Sequence, residues 1–110
     1  MNDVEFRQKI SELFKKIENR LEKVDPDQVE CNLNQGALVL SFSDRSNCIL
    51  SAQPSVQQLW MAVASRGVAH HFNFDLNTGK WKDDKNLGIE PLKYLADLIQ
   101  AQAQLAIQFD

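Results

Sequence analysis

The spacing of apolar residues changes twice along this chain, and those two changes limit the fold more than any single motif. Phe6, Ile10, Leu13, Phe14, Ile17, Leu21 and Val24 recur every three or four residues, which is the single apolar stripe of an amphipathic helix. Asn2 or Asp3 can cap its start. Pro26 is predicted to end it, because the residue before a proline, Asp25, is pushed out of the helical region. From Val29 the period falls to two. Val29, Cys31 and Leu33 alternate with Glu30 and Asn32, Asn34-Gln35-Gly36 forms a turn, and Ala37 to Phe42 reads as a second strand. Further strands are predicted at Cys48 to Ala52, Val56 to Val63, Val68 to Leu76 and around Trp81, separated by short turns rich in Asp, Asn, Pro and Gly. Pro91 then opens a second helix with its stripe at Leu92, Leu95, Ala96, Ile99 and Ala103. Leu105, Ile107 and Phe109 alternate again, so the tail is expected to lie extended against the core.

Successive strands joined by tight turns make an antiparallel meander. With 110 residues the chain suits one domain, residues 1–110, with one core. The expected class is α+β: a two-layer α-β sandwich, with an antiparallel five- to six-stranded sheet and the N- and C-terminal helices on one face. The other sheet face then meets water. Strand parity assigns residues to the two faces. Leu59, Met61 and Val63 fall on the core face, and Gln58, Trp60 and Ala62 on the open one. In the next strand Val68, His70, Phe72, Phe74 and Leu76 form the apolar set, leaving Ala69, His71, Asn73 and Asp75 beside Trp60.

Several classes of function are disfavoured. A formal net charge of −3 lacks the clustered basic surface that nucleic acid requires. No apolar run approaches the ~18 residues of a membrane span, and the polar start MNDVEFRQKI is unlike a secretory signal, so the cytoplasm is the expected compartment. Cys31 and Cys48 have no zinc spacing and read as buried reduced thiols. His70 and His71 are neighbours on a strand, so they point to opposite faces and are poorly placed to share a metal. There is no nucleophile elbow, phosphate loop or Cys–His pair with an orienting acid, so neither catalysis nor an organic cofactor is expected.

The stretch KIENRLEKVDPDQVECN stands out against this background. Between residues 18 and 30 it carries five acids, Glu18, Glu22, Asp25, Asp27 and Glu30, against Arg20 and Lys23. Glu18, Glu22 and Asp25 fall within about 60° of one another on the predicted helix, a stripe beside the apolar one, and Asp27 and Glu30 continue the acidic patch into the loop and first strand. Like charges at i,i+4 and acids at a helix C-terminus both oppose helix stability. One reading is a solvated face. The other is a surface for cations or for a basic partner. Carboxylates without Cys or His suit hard cations such as Fe³⁺, Fe²⁺, Mn²⁺, Ca²⁺ or Mg²⁺, held openly and weakly. Trp60 on the open face is a second candidate, since aromatic residues are enriched in protein interfaces. A third arrangement, His71, Asp75 and Trp60 as a small-ligand or enzymatic site, lacks a nucleophile–base pair.

An acidic first helix followed by a meander, the strand Q53-P-S-V-Q-Q-L-W60-M-A, and a second tryptophan after a turn in F-D-L-N-T-G-K-W81 resemble the bacterial frataxin family of the CyaY type. The resemblance extends over the whole chain in length and element order, and MNDVEF is similar to the family's usual start. It implies a non-enzymatic cytoplasmic protein, monomeric when metal-free, that binds ferrous or ferric iron weakly at its surface. It also implies docking on the cysteine desulfurase of iron–sulfur cluster assembly, with the cluster scaffold protein as a second partner, and regulation of sulfur production. By position it assigns metal to Glu18, Glu22, Asp25, Asp27 and Glu30, with Asp3 and Glu12 as outlying acids, and partner contact to Glu18, Glu22 and Trp60. Asn19, Lys23 and Asn32 stand where relatives often carry further acids. A metal-independent interaction module that binds a basic partner is the alternative.

Overall fold

A computed structural model describes residues 1–109. Its elements run in the order α1 (Asp3–Leu21), β1 (Val29–Asn34), β2 (Ala37–Phe42), β3 (Asn47–Gln53), β4 (Gln58–Val63), a 3-10 turn (Ala64–Arg66), β5 (Val68–Asp75), β6 (Lys80–Asp83) and α2 (Pro91–Ala103). The strands form one antiparallel sheet in the order β1-β2-β3-β4-β5-β6. This is the expected α-β sandwich, with six strands and the two helices covering one face.

Local chemistry sets most of the boundaries. Asn2 caps α1: its side chain accepts from the Glu5 backbone N–H at 2.8 Å, and Glu5 accepts from Asn2 N–H at 3.3 Å. This reciprocal box satisfies two of the four orphan donors at a helix start. The β1–β2 hairpin turns on Gln35 and Gly36, both at positive φ (51° and 82°). A two-residue turn of that kind matches the twist of its strands, and glycine reaches such a φ without a Cβ clash.

Phe6, Ile10, Leu13, Phe14, Ile17 and Leu21 of α1 meet Leu38, Leu40, Phe42, Cys48, Leu50, Leu59, Met61, Val63 and Phe72 of the sheet in one core. From α2 come Leu95, Leu98, Ile99 and Ala103. Leu98 was absent from the expected stripe, whereas Leu92 and Ala96 are only partly buried. Trp81 packs edge-on to Phe6 and Phe74, with centroids 6.2 and 5.1 Å away. The tail after α2 is neither helix nor strand, and it lies against the core as expected. Ile107 is buried, and Arg20 Nε donates to the Gln108 carbonyl at 3.1 Å.

Four expectations need correction. Helix α1 stops at Leu21, not at Pro26. Val24 still packs against the core, but from a turn in which its N–H bonds the Leu21 carbonyl. Strand β4 begins at Gln58 because residues 54–57 form a turn in which Val56 N–H bonds Gln53 and Gln57 N–H bonds Pro54. The two ends of the apolar set expected for the fifth strand are exposed: Val68 opens β5, and Leu76 lies in the turn after the strand ends at Asp75. Cys48 is fully buried, but Cys31 is only half-buried on the edge strand.

Candidate functional site

Of the three acids expected on the helix, Asp25 lies beyond its end. Glu18 sits in the last turn of α1, and Glu22 is its C-cap. Asp25 lies in the loop after the helix. Its carboxylate accepts from Asp27 N–H at 2.9 Å, and its carbonyl accepts from the N–H groups of Gln28 and Val29. It therefore builds the turn into β1, which a residue within a helix could not do. Asp27 is exposed in that turn, and Glu30 is exposed on β1, accepting from Asn32 Nδ2 at 3.0 Å.

What results is a ridge that follows the chain from the end of α1, round the loop and onto the edge strand. A groove of about 410 Å³ runs between α1 and β1, lined by Glu18, Glu22 and Glu30 over Leu21, Val24, Val29 and Cys31. Asp3 and Glu12 lie outside it. Asp3 is at the opposite end of α1, about 22 Å away along the axis from Glu18 at 1.5 Å per residue. Glu12 pairs with Lys9 at 3.6 Å and borders a different cleft, of about 790 Å³, between the two helices and the tail. That larger cleft mixes lysines with acids and holds none of the five ridge residues.

The ridge charge is not neutralised internally. Among the described residues, none of Glu18, Glu22, Asp25, Asp27 and Glu30 forms a salt bridge, whereas Glu12, Asp75 and Asp84 each do. Arg20, the nearest arginine in sequence, turns instead to the tail carbonyl at Gln108. Nor do the acids enclose an ion: among the described residues no three His, Cys, Asp or Glu side chains come together as a metal site. The Cys31 thiol beneath the groove is pushed up to about 11, first by burial and then by the Glu18 carboxylate. It therefore stays protonated near neutral pH and leaves a donor set of hard oxygens.

Trp60 lies on the open sheet face, half-buried. Cross-strand pairing sets it opposite His71, and the two rings stack with centroids 4.4 Å apart at 14°. Its indole N–H donates to Gln58 Oε1 at 2.9 Å. The adjacent row across the sheet is Val39, Ile49, Ala62 and Ala69, so the indole borders a flat apolar surface. His71 and Asp75 are occupied in pairs of their own, with Asp84 at 3.6 Å and Lys82 at 2.9 Å. His70 faces the other way, against Tyr94 of α2 at 4.7 Å. The two histidines thus point to opposite faces, as strand geometry requires.

One residue that the sequence did not single out is Asp83. Buried at the end of β6, its carboxylate accepts from the N–H groups of Lys85, Leu87 and Ile89 at 2.9–3.1 Å. These bonds, led by that from Leu87, hold it below the usual carboxylate range. Its role is to fold the loop that delivers the chain to α2.

The frataxin-like domain family matches residues 1–107. The iron–sulfur cluster assembly protein CyaY of Psychromonas ingrahamii is 36% identical over 109 residues, covering 99% of this chain and 98% of that protein. The proteins of the same name from Pseudoalteromonas atlantica and Tolumonas auensis are 32% and 31% identical, covering 99% and 94% of this chain and 95% and 93% of theirs. A solved structure of the Psychromonas ingrahamii frataxin superposes with a TM-score of 0.88 at 32% identity, over 100% of this chain and 99% of that one. Sheet order, helix placement and these matches agree: the chain belongs to the frataxin-like family.

Proposed function

We propose that this protein is a non-enzymatic accessory and regulator of iron–sulfur cluster assembly that docks through its acidic ridge on a basic surface of cysteine desulfurase. Family membership and the role named for its CyaY relatives support the assembly context. The observation that carries the docking reading is the ridge itself. Five carboxylates line one edge of the fold, and among the described residues none has a cationic partner. A like-charged exposed surface attracts an opposite one, which speeds encounter and sets orientation. Trp60, on a different face, is assigned to a second partner, the cluster scaffold protein.

Iron enters this reading as cargo or effector rather than as a resident cofactor. The donors fit it in kind, since Fe²⁺ and Fe³⁺ accept carboxylate oxygens. They do not fit it as a cage, because among the described residues no three such side chains converge. Binding is therefore weak, with each ion held by one or two carboxylates and water, and with little choice among hard cations. The same lack of convergence favours a second reading, in which docking needs no metal.

Titration with ferrous and ferric iron, followed by paramagnetic broadening of amide resonances, tests the metal role. Broadening should centre on residues 18–30. Broadening centred on His70 and His71 would refute it. A pull-down with purified desulfurase, with and without chelator, separates metal-dependent from metal-independent docking.

A further inference from the structure

The two edges of the sheet are protected very differently. Strand β6 is four residues long and carries Lys80 and Lys82, both exposed. Short length and lysines are the usual means of keeping another strand from pairing with an edge. Strand β1 has neither. It is six residues long, Val29–Asn34, and contains no lysine and no proline. Among the described residues, the backbone of Glu30 to Asn34 makes no hydrogen bond beyond its pairing with β2. Its outer N–H and C=O groups are therefore open to a partner.

Side chains along this edge indicate what kind of partner fits. Val29, Cys31 and Leu33 point to the helical side, and their cover thins along the strand. Val29 is buried, Cys31 half-buried, and Leu33 is 54% exposed. Beside Val29 and Cys31 runs the groove lined by Glu18, Glu22 and Glu30. Leu33 itself, beyond the groove, is the exposed apolar surface at this end of the strand. A strand laid along β1 would present alternate side chains to this side, about 7 Å apart at two-residue spacing. One of them would enter the acidic groove and the next would cover Leu33.

We propose that β1 is a strand-addition site for an extended basic–apolar segment of a protein partner. The backbone of that segment pairs with β1. An arginine or lysine enters the groove with its stem on Val24 and its charge toward Glu18 and Glu22, and an aliphatic residue two positions away covers Leu33. Main-chain pairing supplies affinity and the alternate side chains supply selectivity, as in other cases of strand addition. This deepens the docking reading and rests on it: the ridge attracts the partner, and the edge fixes its register.

The test uses a capped seven-residue peptide of sequence Thr-Arg-Thr-Leu-Thr-Arg-Thr and the same peptide with N-methyl groups at alternate backbone positions along the pairing edge. N-methylation keeps the charge but removes the donors. The parent should slow exchange of alternate β1 amides and shift Leu33 and Val24 resonances. The N-methylated peptide should bind at least tenfold more weakly, and Leu33→Lys should weaken the parent without lowering the melting temperature. Equal binding of both peptides would overturn strand addition while leaving a purely electrostatic ridge intact. No binding of the parent, or shifts centred on the open face around Trp60, would also overturn it. The docking reading fails separately if intact desulfurase binds without dependence on Glu18 and Glu22.

Discussion

Replacing the two tryptophans one at a time separates a surface role from a core role. Trp60→Ala removes a half-buried ring from the open face. It loses the stack on His71, about 0.5–1.5 kcal/mol for an aromatic pair, and a strand preference spanning up to ~1 kcal/mol. The hydrogen bond to Gln58 is partly exposed, and water replaces most of it. The total is about 1–2 kcal/mol. Trp81→Ala instead empties a site that is 7% exposed and packed edge-on against Phe6 and Phe74. That costs about 3–5 kcal/mol. For a small domain each kcal/mol moves the melting temperature by roughly 4–8 °C, so calorimetry or urea melts resolve the difference easily. Trp60→Ala should remain folded, bind desulfurase normally and lose engagement of the scaffold protein. Equal destabilisation by the two substitutions would show that Trp60 is a core residue and that the open-face reading is wrong.

Other outcomes follow from the same geometry. Glu22→Lys should leave the fold intact and raise stability by about 0.5–1 kcal/mol, because it removes an i,i+4 repulsion with Glu18 and an acid from the negative helix end; a clear loss in a urea melt would contradict this. Asp25→Ala should behave differently from its ridge neighbours and destabilise by about 1 kcal/mol, since Asp27 N–H loses its acceptor; urea melts of both variants compare them. Burial first of all lowers the pKa of His70, and its buried Nε2 has no hydrogen-bond partner among the described residues. The unfolded chain therefore takes up the proton first, and stability should fall as pH drops through about 6.5, the ordinary histidine value. His70→Phe should flatten that part of the profile. Asp83 is shifted the same way in the acid range: its contribution is present above the ordinary carboxylate value and is lost as pH falls through its lowered one. Asp83→Asn should reduce acid sensitivity there while lowering stability at neutral pH.

The sheet was legible because alternation and turn chemistry are local. Parity alone placed Trp60, His71 and Asn73 on one face, and the pairing of β4 with β5 sets them there. The end of α1 was not legible, because Val24 keeps helical spacing whether it packs from a helix or from the turn that follows. The choice is made by Asp25, whose carboxylate is better used on Asp27 N–H than on a helix surface. That bond moves Asp25 from the expected helix stripe into the loop between α1 and β1. Arg20 shows another limit. Its partner, the Gln108 carbonyl, lies 88 residues away in sequence, so nothing near Arg20 indicates that it leaves the acids unneutralised. Asp83 bonds N–H groups two, four and six residues ahead, a spacing that depends on the folded loop and has no sequence pattern of its own.

Docking on cysteine desulfurase is proposed to rest on ridge carboxylates that have no cationic partner among the described residues. The deciding measurement is the dissociation constant for purified desulfurase, for wild type and for the Glu18→Lys, Glu22→Lys double variant, across ionic strength. Between about 0.1 M and about 1 M salt the Debye length falls from about 10 Å to about 3 Å. Wild-type binding should weaken steeply over that range. The double variant should bind more weakly at low salt and show a flatter dependence. Wild-type affinity that does not change with salt, or a double variant that binds as well as wild type at low salt, would show that the ridge charge does not carry docking.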